Sequence, residues 1–358
     1  VVTKKTMTVV VSVVLLSLSM LAAPVSSSDH TSPVLKVAAS IAPLAGIVQR
    51  VGGEYVDTSI LLPEGIDPHE SQLPLDAVSA ANAADILVLT GHFPWETDLV
   101  NQTGKPFISL EDSSAIARYK DYGASLSPMP GAGESNTTGG NHEHGNENPH
   151  GYWLLPRNAV AIANATRIAF TTLNSTMSSV WDRNFEKFTA DVLEFENLVI
   201  ARDAKYHFSG MHAIVVAAEE AYVAETFGIK CDAVLQVENV FISFGELLRV
   251  QEALRNRIIQ LIIGSDVSRL QTGGDFAYQL VQDYGGTLIW CNTVSFSGLS
   301  DYLAMMAYNL GILTSALEQG TGASTDLVTN LVLAMLSGVL AVVVVIETVV
   351  LIQRARQE

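Results

Sequence analysis

The run Val34-Leu35-Lys36-Val37-Ala38-Ala39 reads as one short strand, and a second, Val56 to Leu61, follows it across a helical stretch that begins near Leu44. Strand, helix, strand is the repeating unit of a parallel sheet, because two parallel strands need a long crossover to join them. The alternation continues outward from there. Ile86 to Leu89 and Phe107 to Ser109 read as further strands, with another helix starting near Pro74. Beyond a polar interruption, Ala213 to Ala218, Ala233 to Val237, Ile259 to Ile263 and Thr287 to Cys291 repeat it, and Ser300 to Glu318 reads as a closing helix. Between the two sets, Arg157 to Leu173 is helical and a longer helical pattern runs from Met177 to Tyr206. The expected fold is therefore α/β: an N-terminal lobe over 34–176 and a C-terminal lobe over 210–318, each a parallel sheet flanked by helices, joined by a linking helix over 177–206. Two such lobes imply a cleft, and open parallel sheets bind ligands beyond the carboxyl ends of their strands.

Composition sets the class of partner. A chain of 358 residues with 48% apolar content is long enough for two cores. Its net charge of −17 and pI near 4.8 argue against nucleic acid and concentrate cations near the surface. Lys4 and Lys5, an apolar stretch from Val9 to Ala23, then Pro24 and Ser26 to Ser28 have the layout of a signal peptide over 1–28. Near the other end a linker over 319–329 precedes the apolar run Leu331 to Ile352, which Arg354 and Arg356 follow. That pattern predicts a transmembrane helix over 330–353 with its arginines cytoplasmic, Glu347 snorkelling or meeting a partner helix, and the lobes tethered outside the plasma membrane. The Asn-x-Ser/Thr triplets at Asn101, Asn136, Asn164 and Asn174 are compatible with that exposure. Cys231 and Cys291 fall at the start of one strand and the end of another, too far apart to bridge, and are expected as free thiols.

The chemistry centres on two histidines that each follow a proline, Asp67-Pro68-His69 and Asn148-Pro149-His150. Imidazole is the commonest protein ligand for divalent transition metals, and a preceding proline stiffens the loop that carries it. The second closes a Gly-, Asn-, Ser- and Pro-rich tract over 125–149, expected as a surface loop, in which His142 and His144 suit a metal-collecting role. Other polar residues fall at or just after strand ends: His92, Glu219 and Glu220, Asp266, and Cys291 with Asn292.

Several motifs together resemble the zinc- and manganese-binding solute-binding proteins of ABC transporters. They are Ala39-Ser40-Ile41-Ala42-Pro43-Leu44, Leu61-Leu62-Pro63-Glu64-Gly65-Ile66-Asp67-Pro68-His69, Asn148-Pro149-His150-Gly151-Tyr152-Trp153 with Pro156-Arg157-Asn158-Ala159, and the segment from Tyr302 to Asn309. The resemblance covers residues 34 to 318. It implies two lobes on a long helix, with a metal held between them by two histidines, a third histidine or glutamate, and an aspartate. His69 and His150 match the first two ligands. The usual third position aligns with Ala217, so Glu219, or less directly Glu220, takes that role; the other role open to Glu219 is a carboxylate at a helix N-terminus. The usual aspartate aligns with Asn292, which leaves Asp266, Cys291 or water for the fourth position, and His92 as a further candidate. Ser268-Arg269-Leu270-Gln271-Thr272-Gly273 resembles a divergent branch of that family.

Two imidazoles and a carboxylate suit Zn²⁺, and more oxygen ligands favour Mn²⁺. The resemblance implies a receptor that captures the ion outside the cell and delivers it to an ABC permease and its ATPase subunit, with no catalysis. A surface metal sensor or adhesin without transport is the alternative that the altered ligand positions raise. A zinc-dependent hydrolase shares the two-histidine, one-glutamate set, but the chain has no His-Glu-x-x-His helix.

Overall fold

Strands β1 (Leu35–Ala39), β2 (Val56–Ile60), β3 (Ile86–Val88), β4 (Phe107–Ser109) and β5 (Ala117–Arg118) form one sheet in the order β2-β1-β3-β4-β5, parallel throughout. The structure is a computed structural model that describes residues 34–319 apart from 64–65, 67, 70–72, 131–146, 239 and 295–300. Helices α1 (Ala42–Gly52), α2 (Leu75–Ala83) and α3 (Pro94–Thr103) connect the first four strands. Both α1 and α3 open with proline in the first turn, where the missing N–H has no partner to lose.

A small antiparallel ribbon, β6 (Ser127–Pro128) with β7 (Glu147–Asn148), brackets residues 131–146. The polar tract, expected as a surface loop over 125–149, is therefore folded at both ends. Asn148 and His150 are buried there, because their polar groups find partners inside the protein. Helix α4 (Pro156–Leu173) leads into α5 (Ser178–Tyr206), whose 29 residues span about 43 Å at the usual helical rise. Trp181, Phe188, Val192 and Phe195 are its buried stripe, at intervals of seven, four and three, and that stripe packs on α1 and α4.

The second sheet contains β8 (His212–Val215), β9 (Lys230–Val234), β12 (Leu261–Ser265) and β13 (Thr287–Cys291) in the order β13-β12-β8-β9, again all parallel. A two-stranded antiparallel hairpin, β10 (Gln236–Val237) with β11 (Val240–Phe241), leaves it after β9. Helices α6 (Glu220–Thr226), α7 (Phe244–Arg255) and α8 (Thr272–Tyr284) make its crossovers, and a helix over 302–319, α9, closes the lobe. In β8, Ala213 and Val215 face the main core, which continues into the first lobe, while Ile214 faces a separate core with Val250, Leu254 and Leu280. Both faces of the sheet are covered, which is why the central strands β8 and β12 are apolar through most of their length.

Three strands differ from the sequence reading by more than one residue at an end. β8 stops at Val215 although the apolar run continues to Ala218, because the chain bends at residues 216–218, which stay buried beyond the strand end. β12 starts and ends two residues later than Ile259 to Ile263. β9 begins at Lys230, a polar start that is tolerated because β9 is an edge strand. Both cysteines are free: Cys291 ends β13 at one edge of the sheet and Cys231 lies in β9 at the other.

No helix among the described residues is long and apolar enough to cross a membrane. The expected signal peptide, membrane helix and most of the linker lie outside the described residues, as do His142 and His144.

Trp181 anchors α5. It is fully buried, with its ring edge-on to Phe170 at 5.4 Å and to Tyr55 at 6.3 Å. Trp181→Ala is expected to lower the unfolding free energy by about 3–5 kcal/mol, read as a lower urea midpoint with an unchanged m-value.

Candidate metal centre

In both sheets the chain leaves the central strand toward opposite edges, between β1 and β3 in the first and between β8 and β12 in the second. The connections that follow these strands flank a crevice, the usual place for a ligand in an open parallel sheet. His69 lies after β2, His92 after β3, and His150 after β7. Their rings converge. His92 Nε2 lies 3.1 Å from His150 Nδ1, and His150 Nδ1 lies 3.3 Å from His69 Nε2. Ring centroids are 4.3–5.1 Å apart. Nitrogens bound tetrahedrally to one ion at the usual zinc distance sit about 3.3 Å from each other. Among the described residues this is the one group of three histidines, cysteines or carboxylates whose ligand atoms all come within 4.8 Å.

Each ring is held through its backbone. Trp95 Nε1 donates to Pro68 O at 3.0 Å, which fixes the loop just before His69. The Phe93 ring stands edge-on to His69 at 5.4 Å. Asn148 Oδ1 accepts from His150 N at 3.0 Å while its Nδ2 donates to Ala218 O at 2.9 Å. Tyr222 Oη donates to Asn148 O, and Tyr152 Oη to Thr90 O at 2.8 Å.

The connection that bears His92 wraps around one fully buried carboxylate. Glu96, in the first turn of α3, accepts from Ser40 Oγ, from Thr90 N at 2.8 Å and Thr90 Oγ1 at 2.9 Å, from Gly91 N at 2.7 Å and from His92 N at 3.1 Å. Burial pushes its carboxyl above the usual carboxylate range, opposed by the donors on Ser40, Thr90 and Gly91. The sequence shows His92 but gives no sign of this arrangement, since Ser40 and Glu96 meet only after β1 and β3 pair.

A cavity of about 50 Å³ opens beside the rings, lined by His69, His150, Trp153, Glu219, Glu238 and Gln271 among others. That is room for an ion with a water molecule. Glu219 thus borders the cavity, although it is not one of the converging ligand groups. It precedes α6, and its backbone is packed against Gly151 so closely that a Cβ there would lie 2.8 Å from Glu219 Cα. Gly151 also has φ +84°, so two constraints demand glycine after His150.

The remaining candidates lie elsewhere. Asp266 does not line the cavity; its Oδ1 accepts from Thr293 N at 2.9 Å and Thr293 Oγ1 at 3.1 Å and so clips the end of β12 to the chain beyond β13. Glu220 is buried with Oε2 on Ala217 N, and burial, then the Glu219 charge, push its carboxyl well up. Cys291 is buried inside the sheet edge, where desolvation raises its thiol above the ordinary range, and it does not line the cavity. Asn292 is paired through its backbone with Asn309 of α9, N to Oδ1 and O to Nδ2, each at 2.8 Å. Neither Glu238 nor Gln271 is a candidate ligand in the sequence reading, although Gln271 lies in one of the motifs quoted there.

Comparison with known proteins bears on this geometry. Residues 37–316 match the family described as zinc-uptake complex component A periplasmic, ZnuA. The manganese ABC transporter substrate-binding lipoprotein PsaA of Streptococcus pneumoniae is 23% identical over 215 residues, which cover 57% of this chain and 63% of that protein. The high-affinity zinc uptake system protein ZnuA of Yersinia pestis is 25% identical over 182 residues, 45% of this chain and 51% of that protein. The chain thus spans between 51% and 63% of the length of these two relatives. The crystal structure of the Streptococcus pneumoniae AdcAII protein shares the fold, with a TM-score of 0.62 at 19% identity over 80% of this chain and 100% of that one. Because the family match takes in both sheets, the linking helix and all three converging histidines, the chain belongs to the ZnuA family.

Proposed function

We propose that this protein is the extracytoplasmic substrate-binding component of a metal ABC importer, which captures Zn²⁺ or Mn²⁺ in the crevice and hands it to a membrane permease and its ATPase. The convergence of His69, His92 and His150 carries the reading. Three imidazole nitrogens within one coordination radius are the donor type and spacing that a divalent transition metal takes. A transport role needs no catalytic group. The family is one of uptake components, and its relatives named above are zinc and manganese binders by description.

Three nitrogen donors favour zinc, and the carboxylates that border the cavity are what manganese would require. Glu219 is the carboxylate we assign beside the histidines. The apolar run Leu331 to Ile352 with Arg354 and Arg356 supports tethering of the domain to the membrane. Affinity in such a site depends on rings that need no reordering on binding, and the hydrogen bonds onto Glu96 and Asn148 supply that preorganisation.

Isothermal titration of the purified, metal-stripped protein tests the reading. One equivalent of Zn²⁺ should bind, and His150→Ala and His92→Ala should each weaken it by more than about 100-fold, beyond the 10–100-fold typical of outer-shell partners. No binding by the wild type, or binding by both variants as tight as that of the wild type, would sink the proposal. Glu96→Gln keeps the shape but turns an N–H toward amide donors; it should retain the native circular dichroism spectrum and lose about 10-fold in affinity.

A further inference from the structure

Glu238 occupies a backbone conformation that its residue type disfavours. Among the described residues three non-glycines have positive φ: His207, Arg257 and Glu238. The first two sit just after helix ends, His207 after α5 and Arg257 after α7, where a left-handed residue routinely closes the last turn. Glu238, at φ 51°, is the first of the two residues that connect Val237 to Val240 in the β10–β11 hairpin. Two-residue hairpin connections select Asn, Asp or Gly there, because those residues take the left-handed region at low cost. Glutamate has no such advantage. A residue that breaks the local rule points to work done by its side chain.

The surroundings indicate what that work is. Glu238 lines the same cavity as His69, His150 and Glu219, although it lies on the C-terminal lobe. The hairpin tip is held in place rather than left to swing. Gln236, itself buried, donates from Nε2 to Glu238 O at 2.6 Å and accepts from Gly273 N on Oε1 at 3.0 Å, so one side chain ties the tip to the start of α8. A Cβ on residue 273 would lie 2.8 Å from Gln236 Oε1, so glycine is needed for that tie to form. Carboxylates from the other expected positions do not reach the cavity, since Asp266 binds Thr293 and Glu220 binds Ala217 N.

We propose that Glu238 contributes a carboxylate oxygen to the captured ion and sets its selectivity: with it, the site gains a second hard oxygen donor beside Glu219, the kind of ligand that Mn²⁺ prefers. The inference rests on the metal-receptor reading above.

The test compares Glu238→Gln and Glu238→Asn with His150→Ala in the full-length protein, by Zn²⁺ and Mn²⁺ titration and by melting of the metal-free forms. Glu238→Gln retains the shape and loses the charge. Glu238→Asn suits the left-handed backbone and loses both charge and reach. Expected are a Mn²⁺ affinity at least 10-fold weaker in both, a Zn²⁺ affinity changed several-fold less, and a metal-free Tm for Glu238→Asn equal to or above wild type. Mn²⁺ affinity within 2-fold of wild type in both Glu238 variants, with His150→Ala still defective, overturns the role of Glu238 and leaves the receptor reading intact. A weakened Glu238→Asn that also melts lower, beside a normal Glu238→Gln, shows a structural role and equally overturns it. If His150→Ala also binds both ions normally, the receptor reading falls with it.

Discussion

The crevice depends on one buried carboxylate. Glu96 draws Ser40 from the end of β1, Thr90 from the end of β3, and the Gly91 and His92 amides onto two oxygens. Thr90 and Ser40 are fully buried, and a buried donor left unsatisfied costs about 1–3 kcal/mol. A single side chain therefore solves the problem that two adjacent strand ends create, and in doing so it fixes the backbone of His92. The consequence reaches the other rings. Trp95, one residue before Glu96, holds Pro68 and with it the approach to His69. Tyr152, two residues after His150, donates to the carbonyl of Thr90. All three imidazoles thus report to the first turn of α3.

How much of this is legible beforehand depends on whether a feature is local. Phe107–Ser109 and Thr287–Cys291 are strands at the bounds their β-branched and aromatic residues indicate, and α4 and α5 follow their periodicity to within a residue. The run that ends β8 misleads, because Val216, Ala217 and Ala218 are as apolar as the strand before them but are buried beyond its end, Ala217 and Ala218 in the wall of the crevice. Apolarity reports burial, and burial is shared by strand ends and cavity walls. β9 misleads in the opposite way, since Lys230 and Asp232 sit on an edge strand where polar side chains meet water.

The site divides along the same line. His69 and His150 stand out because proline and histidine adjoin in the sequence. His92 stands out less, since nothing adjacent to it marks a ligand; its environment is made by Glu96 and Ser40, 4 and 52 residues away. Asp266 is at a strand end, as read, yet its side chain turns to Thr293, a choice that depends on β13 lying beside β12. Glu238 is invisible without the hairpin, because only the paired backbone reveals that glutamate sits where asparagine or glycine is the easy choice.

Asn148 has a consequence of a different kind. Its side chain spans two parts of the protein, with Oδ1 on the amide of His150 and Nδ2 on the carbonyl of Ala218 beside the C-terminal sheet. One residue therefore makes the posture of an N-terminal imidazole and the position of the C-terminal crevice wall parts of a single equilibrium. Thermodynamic linkage is symmetric: whatever tightens the imidazole cluster holds the wall in place by the same free energy with which the wall, when held, tightens the cluster. A partner that grips only the C-terminal lobe and shifts Ala218 would thereby loosen the His150 end of the site without touching any histidine.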